Sequence, residues 1–335
     1  MTVYLYRAID GGKSIDITQG CASIRWIGAV ASAGRSAEID YINSPYDDSY
    51  KALPVISTGD HIALLDGTEE IFIGQIFGTQ KSSQIGTKTY IAFDMMKNLL
   101  ESKGQYNFKN TTPEAIATQV CAEAGIPIRF LYPTNYMVTS MLCDQMSLYD
   151  IIMAAYTRAY KALGKKFFAM IYKRGFSVYH AKWGVSNFTL SESSNIYESN
   201  ISESMEGIKN KIKIYDKNGL QIGEQVIEDS IKKYGVFQDV YKVEEGVDPC
   251  VASYNMLKTI PTQDIKISAI GDIKCLSNYF VCVSDSATGL SGKYWITSDT
   301  HTWEKGVYTM VLTLKFESLM DTKDAPEENE KKGTT

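Results

Sequence analysis

The feature that most constrains this chain is a β-pattern that occurs twice. GDHIALLDGTEEIFIGQIFGTQKSSQIGTKTYIAFD, Gly59 to Asp94, is a Gly-Asp turn, short alternating strands broken at Asp and Gly, and a Gly-led strand. GDIKCLSNYFVCVSDSATGLSGKYWITSDTHTWEKGVYTMVLTLKF, Gly271 to Phe316, repeats that order. Period-two alternation buries one face of each strand, and the Asp and Gly positions supply the turns. Two similar β-units in one chain let an oligomer of n chains present nearly 2n similar surfaces. That use is architectural rather than catalytic.

The 335 residues are enough for two or three domains, each with its own core. A net charge of -5 and a pI near 5.4 give no electrostatic reason to bind nucleic acid. The 22 tyrosines suit surfaces half buried against a partner, and equally suit strands. The start, MTVYLYRAIDGG, has no charged segment followed by an apolar run, and no stretch approaches the ~18 apolar residues of a membrane span. The expectation is a chain made and kept soluble in the cytoplasm. Cys21, Cys121, Cys143, Cys250, Cys275 and Cys282 lie among apolar or small neighbours without a CxxC pair, and read as reduced core residues.

Alternation places strands at 3–9, 15–17, 22–30 and 36–42, and again at 61–65, 70–77 and 87–93, enough for a small barrel or sandwich over residues 1–98. The character then changes to an α+β module over 99–204. After a short helix at 95–102, Thr-Thr-Pro-Glu at 111–114 is a capped helix start with Ile116, Val120 and Ala124 as its buried stripe and Gly125 at its end. A second helix opens at Ser147, buries Leu148, Ile151, Ile152, Ala155 and Ala159, and stops at Gly164; KKFFAMIYKRGFSVYHA follows as a hairpin turning at Lys173-Arg174-Gly175. Strands resume at 208–216, 221–228 and 236–243. A helix from Pro249 to Thr259, with Val251, Tyr254 and Leu257 as its stripe, sits in an insert at 246–260 of a second β-unit spanning 205–320. The strand Tyr308–Phe316 is the clearest in the chain, and 321–335 has the composition of a solvated acidic tail.

Catalytic motifs are not legible. Gly11-Gly12-Lys13-Ser14 resembles the end of a phosphate loop, but Arg7 stands where that loop needs glycine and Ile15-Asp16-Ile17 continues as strand instead of helix. His61, His180 and His301 have no metal-ligand spacing and read as strand-surface residues. Cys121 is mid-helix and Cys21 is at a strand start, unlike a nucleophile at a helix N-terminus; no GxSxG elbow occurs. Glu69/Glu70 and Glu244/Glu245 are the pairs that a glycosidase reading would use, although adjacent acids at turns are usually solvated. Trp26, Trp183, Trp295 and Trp303 are the tryptophans available to a glycan platform.

Taken in order, these segments resemble the baseplate hub proteins of contractile phage tails and R-type phage-tail-like bacteriocins, the XkdQ/YqbQ type, from Thr2 to about Phe316. The most specific pieces are GDHIALLDGTEEIFIGQI, YIAFDMMKNLLESKGQYNFKNTTPEAIATQVCAEAGI, MEGIKNKIKIYD, EDSIKKYGVFQDVYKVEEG and YWITSDTHTWEKGVYTMVLTLKF. The resemblance implies an α+β, mainly β fold: two tail-tube-like β-barrel domains with an inserted small α+β module, in a homotrimer that forms a pseudo-sixfold ring. It implies a structural hub joining the hexameric tail tube to the trimeric central spike, with the tail tube protein, the central spike protein and other baseplate proteins as partners. It implies no catalysis and no cofactor, no nucleic-acid recognition and no stable membrane insertion. The particle would be assembled in the bacterial cytoplasm and carried as a virion or bacteriocin baseplate. No fused hydrolase or spike is visible, so wall-cutting or piercing is expected of partners. The alternatives are a peptidoglycan hydrolase and a glycan-binding tail-tip module.

Overall fold

The computed structural model describes residues 1–7, 13–32, 34–43, 53–81, 86–181, 188–243 and 248–325. The chain divides into two compact units, Met1–Ser199 with Lys266–Thr335, and Asn200–Ile265. The first unit opens with β1 (Thr2–Tyr6), β2 (Ser14–Asp16), β3 (Cys21–Ala29) and β4 (Ser36–Asn43), then β5 (His61–Asp66), β6 (Glu69–Lys81) and β7 (Gly86–Phe93). The module that follows is α1 (Met96–Glu101), β8 (Lys103–Thr111), α2 (Pro113–Glu123), β9 (Ile128–Leu131), β10 (Val138–Ser147), α3 (Leu148–Leu163), β11 (Phe167–Tyr172) and β12 (Gly175–His180). Through β13 (Thr189–Ser191) and β14 (Ile196–Ser204) the chain reaches β15 (Lys211–Tyr215), β16 (Gln221–Val226), α4 (Glu228–Tyr234), β17 (Gln238–Lys242) and α5 (Pro249–Asn255). It returns in β18 (Thr262–Ile270) and ends in β19 (Phe280–Asp285), β20 (Leu290–Glu304) and β21 (Val307–Lys315).

The fold is mainly β, as the alternation predicts, and both copies of the repeat form three-stranded antiparallel meanders, β5-β6-β7 and β19-β20-β21. In each the middle strand is the longest, 13 residues in β6 and 15 in β20. Both meanders belong to one 13-stranded sheet whose main path is β14-β18-β21-β20-β3-β4-β7-β6-β5-β1-β2. β20 joins them by changing partner: Leu290–Trp295 pair with β19, and Ser298–Glu304 pair with β3. A register shift between Ile296 and Ser298 marks the change, as a bulge does where a strand must bend.

The inward positions of β1, β3–β7 gather Val3, Leu5, Trp26, Ile39, Ile62 and Leu64 into one core, which Leu276 also enters from the segment before β19. The module has its own core on α3. Thr112 and Ser147 cap α2 and α3, their hydroxyls accepting the N–H groups of Ala115 (3.2 Å) and Asp150 (3.0 Å), and Gly164 ends α3 at φ 67°. The β11–β12 turn falls where the sequence puts it, with Lys173 and Arg174 both at positive φ, the geometry of a two-residue hairpin loop.

Two elements are not foreseen in the sequence and two local expectations fail, each for an identifiable reason. β8 and β10, separated in the chain by α2 and β9, pair as a two-stranded antiparallel sheet that the sequence hides, because KGQYNFKNT is polar and carries Asn110 at φ 48°. The helix α4 is only 7 residues, too short for a periodic signal. α5 stops at Asn255 and turns its other side inward: Ala252, Met256 and Leu257 pack on Ile212, Ile214 and Tyr241, while Val251 and Tyr254 are exposed. Finally, the described residues after Phe316 do not float in solvent.

Residues 317–325 instead run along α3 as a strap. Met320 and Ala325 pack on the module core. The Phe167 N–H points at Met320 Sδ (3.3 Å), the Lys323 N–H donates to Thr157 Oγ1 (3.0 Å), and Arg158 donates to the Ala325 carbonyl (2.6 Å). Tyr149 Oη donates to Asp321 (3.1 Å), and Lys161 pairs with Asp324 (2.7 Å). The strap covers Tyr149 and Thr157, which are buried outside the stripe that periodicity assigns to α3. Removing residues 318–335 is expected to cost about 3 kcal/mol in urea unfolding, from one half-buried Met and several hydrogen bonds. An unchanged midpoint would mean that the strap is not docked.

Candidate functional site

The most organised polar cluster lies where β3 meets β20. The register sets Gly28 opposite Asp299 and Trp26 opposite His301. Arg35, just before β4, crosses to β20 and binds the Asp299 carboxylate with both terminal nitrogens, Nη1 to Oδ1 at 3.1 Å and Nη2 to Oδ2. Asp299 Oδ1 also accepts the Ser277 N–H at 2.6 Å. His301 Nε2 donates to the Cys275 carbonyl at 3.1 Å and lies 3.3 Å from Asp299 Oδ2, while Nδ1 meets the Tyr308 hydroxyl at 2.9 Å. The Arg35 guanidinium lies 4.0 Å from the centre of the Trp26 ring. Arg35, Asp299 and His301 are 7%, 1% and 0% exposed.

Two glycines make room for this cluster. A Cβ on Gly28 would come within 2.2 Å of Arg35 Nη1, and one on Gly271 within 2.3 Å of the Tyr308 ring. The second repeat therefore opens on glycine because Tyr308 packs there. On the other side of Arg35, buried Asp94 closes the first repeat: its carboxylate accepts the backbone N–H groups of Arg35 and Met96, each at 3.0 Å, and its own N–H donates to the Arg35 carbonyl at 3.1 Å.

The two carboxyls are driven apart electrostatically. Burial works to raise Asp299, but the charge of Arg35 and the hydrogen bonds from His301 and Arg35 outweigh it and hold it at about 2. Burial dominates at Asp94 and pushes it up to about 7 against the two backbone hydrogen bonds and Arg35. The cluster offers no nucleophile to solvent; it stitches the two repeats together.

The residues singled out by sequence scatter. His61 is exposed on β5, and His180 is half-buried beside Tyr132. His301 is the correction among them, a buried network member instead of a strand-surface residue; its alternation in β20 with Asp299 was the available signal. Glu70 is held by Arg174 in a two-point ion pair at 2.5 and 2.8 Å, and Glu69 lies 3.3 Å from Lys173. Glu244/Glu245, Trp183 and Gly11-Gly12 lie outside the described residues. All six thiols are free: Cys121, Cys143 and Cys275 are buried and Cys21 and Cys282 half-buried, whereas Cys250 is exposed on the outer side of α5, against expectation. Burial pushes Cys21 and Cys121 up to about 12 and Cys143 to about 11, which disfavours the thiolate needed for nucleophilic attack. Trp26 is buried, Trp303 stacks on Tyr308 (4.3 Å) and Trp295 is half-buried edge-on to Phe280 (5.5 Å). Among the described residues no group of three or more His, Cys, Asp or Glu side chains is placed to hold a metal ion, and no helix is long and apolar enough to cross a membrane.

This architecture is that of phage-tail proteins. The 43 kDa tail protein of prophage MuSo2 from Shewanella oneidensis superposes with a TM-score of 0.72 at 16% identity, over 94% of this chain and 98% of that one. The c3393 protein of E. coli, a type VI secretion component with structural similarity to the T4 tail proteins gp27 and gp5, gives a TM-score of 0.54 at 10% identity, over 91% and 76%. Residues 24–315 match the YQBQ-like family model, and the chain belongs to that family. Its relatives include the uncharacterized protein YqbQ of Bacillus subtilis strain 168, 25% identical over 275 residues, which are 77% of this chain and 81% of YqbQ. The phage-like element PBSX protein XkdQ of the same strain is 21% identical over 299 residues, 86% of this chain and 90% of XkdQ.

Two outcomes test the cluster. Arg35→Leu is expected to cost about 3–5 kcal/mol, because it leaves Asp299 buried and uncompensated, and Arg35→Leu with Asp299→Leu is expected to cost less than the sum of the single changes. A purely additive double-mutant cycle would show that the two side chains do not interact. Asp94 gives a pH signature of definite sign. Folded, it keeps its proton up to about pH 7, whereas the unfolded chain releases it near the ordinary value of 3.8. Its contribution to stability is therefore complete below 3.8 and is lost as pH rises toward 7. The difference in unfolding free energy between the natural chain and Asp94→Asn should fall over that window, and a flat difference would contradict a raised Asp94.

Proposed function

We propose that this chain is the structural hub of a contractile tail baseplate, joining the hexameric tail tube to the trimeric central spike by symmetry matching. The observation that carries the reading is the duplicated meander: β5-β6-β7 and β19-β20-β21 lie in one continuous sheet and are bound through Arg35 and Asp299. Two similar β-units per chain would let a homotrimer offer six similar positions to the tube on one face and three to the spike on the other. Kinship with XkdQ of a phage-like element, and a fold shared with tail proteins, support the same reading.

In this proposal residues 1–98 and 205–320 supply tube-like β-barrels, with 246–260 as a helical insert, and 99–204 form the inserted module. The tail tube protein, spike and other baseplate proteins are the partners. The particle assembles in the cytoplasm and becomes part of a virion or R-type bacteriocin. The chain itself is not an enzyme in this proposal. Glu69 and Glu70 are engaged by Lys173 and Arg174, which argues against their serving as a glycosidase pair.

Native mass spectrometry of the chain, alone and co-expressed with its neighbouring tail genes, tests the proposal. The expected species has three times the 37.4 kDa chain mass. A monomer in both preparations would remove the symmetry argument.

A further inference from the structure

The module meets the β-sheet along β11 in two contacts with a gap between them. Near the start of β11, Phe168 lies edge-on to Tyr279, the residue before β19, with ring centres 6.4 Å apart. Past its end, the turn residues Lys173 and Arg174 reach Glu69 and Glu70 at the start of β6. Lys173 lies 3.3 Å from Glu69, and Arg174 binds Glu70 with two nitrogens at 2.5 and 2.8 Å. Met170, Ile171 and Tyr172 of the module, with Ile71 and Ile73 of β6, line a cavity of about 360 Å³ that extends from Tyr279 to these ion pairs. Side chains around a void have no partner atoms across it, so the apolar walls hold the module to β6 less firmly than a packed interface would.

The turn that carries the two cations is a strained place for them. Lys173 and Arg174 sit at φ 45° and 62°, where a two-residue hairpin loop favours Asn-Gly because a longer side chain meets the backbone. Strain of this kind persists where the surrounding structure or a function requires the residue. The turn is seated firmly on the module, since a Cβ on Gly175 would come within 2.9 Å of the Arg129 Cβ. The cations therefore move with the module, and their carboxylate partners move with the first meander. The module's other ties lead to the second meander: Phe168 on Tyr279, β13 paired with β19, and the strap on α3.

We propose that the Glu69–Lys173 and Glu70–Arg174 pairs form a releasable clasp: when salt screens them the module turns away from the first meander about the Phe168–Tyr279 contact and opens the cavity to solvent. The four side chains are between 24% and 55% exposed, so ionic screening reaches them. The Arg35–Asp299 pair is buried and is screened far less, so the two meanders stay joined while the clasp opens. The clasp acts within one chain and stands whether or not that chain is a hub.

The test uses the full chain in its purified oligomeric state with Met170→Cys, a substitution at a buried cavity-wall position. A bulky maleimide is added and the label is read cysteine by cysteine by mass spectrometry, with exposed Cys250 as the rate reference. Raising sodium chloride from about 20 mM to about 0.5 M is expected to speed labelling at position 170 about fivefold. Buried Cys121 and Cys143 in the module core should stay slow. Arg174→Glu should give the fast rate already at low salt. Glu70→Arg combined with Arg174→Glu, which reverses the pair, should restore both the slow rate and its salt response. Should Met170→Cys fold poorly, Ile73→Cys on the opposite wall gives the same readout. A rate at the wall that ignores both salt and Arg174→Glu would overturn the proposal, as would a reversed pair that fails to rescue. Labelling of Cys121 in step with position 170 would also overturn it, because the module would then be unfolding instead of turning.

Discussion

The buried contact between Arg35 and Asp299 is the constraint on which the first unit turns. It joins side chains 264 positions apart in sequence, one from each side of the junction between the repeats. Burying two charges carries a desolvation cost that their attraction offsets only when the geometry is good and the remaining hydrogen-bonding capacity is used. Here the guanidinium meets the carboxylate at two points, and the Ser277 N–H takes a further place on Asp299. Such a pair contributes less to net stability than to specificity. A slip of one residue between β3 and β20 would move Asp299 away from the Gly28 notch that admits Arg35, and would turn the inward positions of β20 outward.

That selection of register matters because β20 has two partners on one side. Backbone hydrogen bonding alone would let it pair further along β19 or begin its pairing with β3 elsewhere. The polar side chains on its second half, Asp299 and His301, have their partners only in the observed arrangement: Arg35 for one, the Cys275 carbonyl and Tyr308 for the other. The network thus connects the register of β20 with the packing of Tyr308 on Gly271, at the start of the second repeat. Duplicated meanders with similar inward faces could exchange partners; the ionic contact distinguishes them.

Much of this was legible from local signals. The repeat, the caps at Thr112 and Ser147, the stop at Gly164 and the turn at Lys173-Arg174 are written in short-range chemistry, and the structure places each where that chemistry requires. The junction was not legible, since it depends on which strand of one repeat pairs with which strand of the other, and Arg35 and Asp299 carry no spacing that points to each other. His301 was misread because alternation gives the face on which a residue lies but not what covers that face. The strap was missed for a related reason: Asp321, Lys323 and Asp324 look solvated, yet they bind through backbone groups and charges to Tyr149, Thr157 and Lys161 on a helix some 160 residues earlier, on the scale of the 163-residue separation of Lys161 and Asp324.

The strap also changes the mechanics of the first unit. Apart from it, the module is tied to the β-sheet by the chain crossings on either side of it, the second through β13 paired with β19, by Phe168 edge-on to Tyr279 (6.4 Å) and by the ion pairs of Glu69 and Glu70 with Lys173 and Arg174, which salt screens. Residues 317–325 follow β21 directly and bind α3, so the second meander holds the module as well. The first meander is meanwhile bound to the second through β3, β20 and Arg35. The three parts therefore close a loop of constraints: first meander to second, second to module, module back to first. In a closed loop, moving any one part strains two contacts, so the unit resists deformation more than a chain of three parts joined in line. For a proposed hub that must transmit force while presenting two similar meanders in a fixed relation, this closure is the property the fold supplies.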